Sequence, residues 1–130
     1  SCNPNGSMTR AMFWAVPGRI DGETIPGSDW VEEARDWAMS EGVSDGENPY
    51  ALVTREQMVT MLWRYAGEPG RSANLNRYTD AGSISDWAED AMEWAIARGV
   101  IDGMTSTTLQ PQGTATRAHC ATIFMRYDQL

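Results

Sequence analysis

Apolar positions along this chain fall into two recurring helical patterns. The stretch "SDWVEEARDWAMSEGVSDG" at 28–46 sets Trp30, Ala34, Trp37 and Ala38 at spacings of four, three and one, a single stripe along a helix. "SDWAEDAMEWAIARGVIDG" at 85–103 overlays it without a gap, Trp87 on Trp30, Ala91 on Ala34, Trp94 on Trp37 and Gly99 on Gly42. Ser28 or Asp29 with Glu32, and Ser85 or Asp86 with Glu89, predict a capping box at each start. Gly42 and Gly99 stand where a left-handed residue ends a helix. Between the apolar positions lie Glu32, Glu33, Asp36, Glu89, Asp90 and Glu93, expected on solvated faces.

The second pattern begins three times with Thr-Arg, at Thr9-Arg10, Thr54-Arg55 and Thr116-Arg117. In each, the threonine predicts an N-cap and the arginine the first helical residue. Gln57 closes a capping box on Thr54. Val53 with Met58, Met8 with Phe13 and Ala115 with Cys120 occupy the two positions of a hydrophobic staple. A proline precedes each threonine by the same interval, at Pro4, Pro49 and Pro111. Pro17 lies inside the first of these helices and predicts a kink or a stop near Trp14.

The unit is therefore a tryptophan–alanine helix, a proline loop and a Thr-Arg helix. The expected organisation is one all-α domain over 1–130, with the second half of a first repeat at 1–21, a second repeat at 22–67 and a third at 68–130. Such repeats bury their apolar faces only against one another. Three Thr-Arg helices as a central bundle with two tryptophan helices outside leave one outer position vacant. A helix preceding Ser1 in a parent chain fills it, or a helix exchanged from a second chain in a dimer. The stretch 68–82 reads as a surface loop.

Composition narrows the partners. The chain has 130 residues and a formal charge of −8, which argues against a nucleic-acid backbone. Every one of its ten basic residues is an arginine, a planar fork suited to gripping carboxylates. No apolar run is long enough to insert in a membrane. His119, the lone histidine, has no partner at ligand spacing, so neither a metal nor a cofactor is expected. "SDGEN" and "IDG" lack the alternating oxygens of a calcium loop and read as turns. No nucleophile elbow, phosphate loop or carboxylate dyad points to an enzyme. Cys120 is expected as a buried thiol, with a bridge to Cys2 as the alternative. The methionines, Met58, Met61, Met92 and Met125 among them, fill gaps in the core.

The repeat resembles the S-layer homology domain of bacterial surface proteins. That pattern opens F-x-D, runs through a tryptophan–alanine helix to G-[IV]-x-x-G, and passes an F-x-P loop into a helix starting T-R-A-E. Here "YTD" at 78–80, "AMEWAIARGVIDG", "LQP" at 109–111 and "TRAHCATIFMRY" take those places. The glutamate of T-R-A-E is replaced by Met12, Gln57 and His119. The resemblance implies a pseudo-threefold domain that anchors proteins to cell-wall polysaccharide outside a bacterial cell, often through pyruvylated sugars in grooves between repeats. It assigns Arg10, Arg55 and Arg117 to those grooves.

Helix chemistry points the same way, since an arginine at a helix start sits beside unpaired N–H groups and the positive end of the dipole. The opposing reading pairs each arginine with a local acid, such as Glu56 or an aspartate of the neighbouring repeat. Trp37 and Trp94 are candidate platforms for sugar rings, although their helical spacing beside alanines favours a place in the core. An alternative to polysaccharide anchoring is a scaffold of the same repeats for protein–protein interaction or surface recognition.

Overall fold

Thr54 opens its helix as its sequence predicts. Its Oγ1 accepts the Gln57 amide at 3.3 Å and its own N–H donates to Gln57 Oε1 at 3.0 Å, closing the capping box. A computed structural model describes residues 6–20, 29–70 and 72–130, with the backbone alone at 18–20. Its helices are α1 (Arg10–Ile20), α2 (Trp30–Ser40), α3 (Arg55–Tyr65), α4 (Glu89–Ala97) and α5 (Arg117–Asp128), and no strand occurs among the described residues. Ser28, Cys2 and Pro4 lie outside them.

The other two Thr-Arg helices start alike. Thr9 Oγ1 accepts the Met12 amide at 3.2 Å, with no reciprocal bond because methionine has no acceptor oxygen. At α5, Thr116 Oγ1 accepts the His119 amide and His119 Nδ1 accepts the Thr116 amide, both at 3.1 Å. Each cap contributes about 1 kcal/mol. The staple residues Met8, Phe13, Val53, Met58, Ala115 and Cys120 are all buried.

A closed ring of backbone bonds joins the three starts. Val53 N–H donates to Met8 O at 2.9 Å, Ala115 N–H to Val53 O at 2.9 Å, and Met8 N–H to Ala115 O at 3.3 Å. The first helical amides extend it, with Arg10 on Ala51 O, Arg55 on Gly113 O and Arg117 on Gly6 O. Ala11 and Glu56 donate in turn to Pro49 O and Pro111 O, both at 2.9 Å. The recurring proline loop thus supplies acceptors for amides that a helix start would leave orphaned. This overturns one step of the anion argument: the first three amides of α1 and of α3 are already paired, so anion recognition there falls to side chains.

Deeper in the core, the same helices meet through side chains. Phe13 and Phe124 lie 5.6 Å apart between α1 and α5, and Trp14 Nε1 donates to Met61 Sδ between α1 and α3. Tyr65 and Tyr127 join α3 to α5 at 6.2 Å.

The tryptophan helices pack on the Thr-Arg helices that precede them, α2 on α1 and α4 on α3. They bury Ala34, Trp37 and Ala38 in α2, and Ala91, Met92, Trp94 and Ala95 in α4. Gly42 and Gly99 stop them at φ 70° and 73°. There Val43 N–H reaches back to Ala38 O and Val100 N–H to Ala95 O, both at 2.8 Å, as a Schellman ending requires.

Three expectations are corrected. The side chains of Asp29 and Ser85 make no cap bond at the tryptophan helices, so neither residue closes the expected capping box, and the Ser28 alternative lies outside the described residues. α1 does not stop near Trp14 but runs to Ile20, with Pro17 fully buried inside it. Packing of the proline ring in the core and of the helix on α2 offsets one lost backbone bond. Met125 points outward, 54 % exposed, while Met58, Met61 and Met92 are buried.

Candidate functional site

Two clefts open between repeats, and matching residues line them. The first, about 250 Å³, is walled by Arg10, Ser44, Asp45, Gln57, Thr60, Met61, Arg64 and Trp87. The second, about 180 Å³, has Arg55, Asp102, His119, Thr122, Ile123 and Arg126 at the corresponding places. The pattern follows from the helix period. Gln57, Thr60, Met61 and Arg64 recur at three, four and seven residues and share one face of α3, as His119, Thr122, Ile123 and Arg126 do on α5. Opposite each face stand the residues following the left-handed glycine, Ser44 and Asp45 or Ile101 and Asp102.

Arg10 crosses the first cleft. Its Nε donates to Glu47 O at 2.9 Å, and one terminal nitrogen reaches Ser44 Oγ at 3.0 Å and Asp45 Oδ1 at 3.2 Å. The guanidinium carbon lies 5.6 Å from the centre of the Trp14 ring. Asp45 is mostly exposed, so this ion pair is weak and exchangeable. The local-acid reading therefore holds for Arg10, though through a surface carboxylate.

Arg55 behaves differently. It is buried, with Nε donating to Leu109 O at 2.9 Å. Among the described residues, none places a carboxylate within ion-pair distance of it. Glu56, its neighbour in sequence, turns away to Ser85 and Gln112. Burial lowers the pKa of Arg55 from the ordinary arginine value, and the Asp80 carboxylate partly offsets that. Asp80 itself is held by the amides of Leu109 and Gln110 at 2.8 and 2.7 Å. The aspartate of "YTD" thus shapes the loop carrying the Leu109 carbonyl. Gly103 completes this corner, since a Cβ there would stand 2.7 Å from the Tyr78 ring.

Each cleft carries two arginines against one aspartate. In the first they are Arg10 and Arg64 against Asp45, and in the second Arg55 and Arg126 against Asp102. Arg126 pairs with Asp102 at 3.2 Å. Gln57 and His119 occupy the glutamate place of T-R-A-E on the cleft walls and bring no negative charge. His119 is neutral at its capping nitrogen, and burial and then the charge of Arg55 push its pKa down. By their lining residues both clefts thus hold one more arginine than aspartate on a chain of net charge −8, with the Asp80 carboxylate acting on Arg55 from outside the second. At the floor of the first, the Thr60 hydroxyl is buried without a hydrogen-bond partner, and each such group costs about 1–3 kcal/mol.

The remaining expected site residues lie elsewhere. Arg117 is half-buried on α5, its amide on Gly6, and lines neither cleft. Trp37 and Trp94 are core residues, 7 % and 2 % exposed, packed against Tyr65 at 5.9 Å and Tyr127 at 6.2 Å. Burial leaves neither ring a free face. Trp94 only edges a cavity of about 370 Å³ with Pro69, Arg98 and Tyr127. The exposed tryptophan is Trp87, at 51 %, on the wall of the first cleft. Sequence reasoning also passed over Arg64 and Arg126, although the shared Arg-Tyr ends of their helices, Arg64-Tyr65 and Arg126-Tyr127, carried the signal.

Comparison with known proteins gives the chain its relatives. The chain is 33% identical to an amylopullulanase of Thermoanaerobacterium thermosulfurigenes and 32% identical to the exoglucanase XynX of Acetivibrio thermocellus, over 92% of its own length in both cases. It is 26% identical, again over 92%, to a surface-layer 125 kDa protein of Lysinibacillus sphaericus. The chain spans only 7%, 13% and 11% of those three proteins. Residues 77–121, which hold the "YTD", the α4 helix, the "LQP" loop and the start of α5, match the S-layer homology family. The chain carries an S-layer homology domain at residues 77–121.

Proposed function

We propose that the chain is a non-catalytic attachment module that holds bacterial cell-wall polysaccharide in the clefts at Arg10 and Arg55. The observation that carries this reading is the local charge, two arginines against one aspartate in each cleft of an acidic chain. A sugar carboxylate, such as that of a pyruvyl ketal, bonds to Arg10 and Arg64 in the first cleft and to Arg55 and Arg126 in the second. The Thr60 hydroxyl supplies a further polar contact, and the Trp87 ring an apolar face for the sugar. For Arg117, which lines neither cleft, the same role rests on the shared Thr-Arg motif alone.

The relatives support the assignment. One is named as a surface-layer protein and two as glycan-degrading enzymes, and the chain matches a small part of each. A unit shared by chains so differently named fits attachment better than catalysis. On this reading the domain works outside the cell, at the wall or S-layer of a bacterium, and its partner is a polysaccharide rather than nucleic acid or lipid. No helix of the described residues is long and apolar enough to cross a membrane.

Co-sedimentation with purified cell walls, before and after acid removal of ketal pyruvate, tests the reading. The expected result is retention of the wild type on intact walls and its release from depyruvylated ones. Arg10→Ala and Arg64→Ala should weaken retention without loss of helical content. Retention indifferent to pyruvate and to both substitutions would favour a protein-interaction scaffold instead.

A further inference from the structure

The two tryptophan helices are alike in sequence but begin differently. Trp30 is the first residue of the regular helix α2, half-buried against the core. Its counterpart Trp87 lies in a 3-10 turn, Asp86–Ala88, half exposed on the wall of the Arg10 cleft, and α4 begins only at Glu89.

Glu56 is the residue placed to cause this. It stands second in α3 and is 4 % exposed. Its carboxylate accepts the Ser85 amide at 2.9 Å, the Ser85 hydroxyl at 2.7 Å and Gln112 Nε2 at 3.3 Å. Gln112 Nε2 also donates to Ser83 O at 2.6 Å, so both flanks of Ile84 are tied to one point. Ser85 is the N-cap of the Trp87 turn, and with its hydroxyl engaged it makes no cap bond of its own. The corresponding positions in the other two Thr-Arg helices are Ala11 and Ala118, which offer no such anchor.

We infer that Glu56 is a positioning residue for the Arg10 cleft, holding Trp87 against it through Ser85. The inference deepens the carbohydrate reading and rests on it for the ligand. The cleft walls at Gln57 and Thr60 lie on the same helix as Glu56, so one element sets both the polar floor and the aromatic side. It also makes the clefts unequal, since only the first gains a tryptophan.

The test uses the 130-residue chain labelled with fluorotryptophan, whose six tryptophans give six fluorine resonances. Trp87→Phe assigns one of them. Glu56→Ala, and more weakly Ser85→Ala, should shift that resonance in the free protein while the buried Trp14 resonance stays in place. Wall polysaccharide should bind Glu56→Ala and Trp87→Ala about tenfold more weakly than wild type, roughly 1.4 kcal/mol. The double variant should bind no more weakly than either single one. An unmoved Trp87 resonance, or losses that add in the double variant, would overturn the inference. If wild type binds no polysaccharide, the carbohydrate reading fails by itself, and the resonance still decides whether Glu56 places Trp87.

Discussion

Ser85 gives its hydroxyl to the buried carboxylate of Glu56, 2.7 Å away, and not to the helix it precedes. The carboxylate is held by three donors and no cation among the described residues. Removing it leaves the Ser85 amide without its acceptor. Glu56→Ala is therefore expected to cost about 1–3 kcal/mol in urea unfolding. The corresponding exposed carboxylate change, Glu89→Ala, should cost less than about 0.5 kcal/mol.

The histidine cap makes stability depend on pH. His119 Nδ1 accepts the Thr116 amide only while that nitrogen is unprotonated. Burial and the charge of Arg55 set its folded pKa below the ordinary 6.5, so folding favours the neutral ring. The contribution is complete above about pH 6.5 and is lost as pH falls through the folded value. Thermal melts should fall in this window for wild type. His119→Gln, which copies the Gln57 cap, should remove the slope assigned to this residue.

Gly103 and Gly82 make a paired test of close packing. A Cβ at Gly103 would overlap the Thr105 carbonyl and stand 2.7 Å from both the Thr108 carbonyl and the Tyr78 ring, whereas at Gly82 it meets nothing within 4 Å. Gly103→Ala should lower stability by about 2 kcal/mol or more and Gly82→Ala by less than about 0.5. Denaturant midpoints of the two variants measure the difference.

Cys120 is a free thiol, 3 % exposed, with its pKa pushed up to about 12 by burial. In a Cys2→Ser background it should resist thiol reagents at pH 8 until the chain unfolds. Rapid labelling of the native protein would place it outside the core.

Much of this fold was legible because its determinants are local. Helical spacing, threonine caps and left-handed glycines act within a few residues, and Thr54, Thr116, Gly42 and Gly99 do what their sequence context asks. The limits appear where distant contacts compete. Trp30 and Trp87 match in sequence yet differ in exposure, and the contact placed to explain it is Ser85 with Glu56, 29 residues earlier in the chain. Arg55 escapes its neighbouring acid for the same reason. One step of the anion argument failed at α1 and α3, because loop carbonyls of another repeat pair their first two amides. Arg10 and Arg55 were read from one motif, while the cleft walls that give them a purpose come from repeats joined only by folding.

Calorimetric titration of purified, pyruvylated wall polysaccharide into the domain tests the central claim most directly. Wild type should bind, Arg10→Ala and Arg55→Ala should each lose part of the heat, and the double variant should lose nearly all of it while keeping its helical spectrum. Equal affinity in wild type and the folded double variant would contradict the assignment of these clefts as the attachment site.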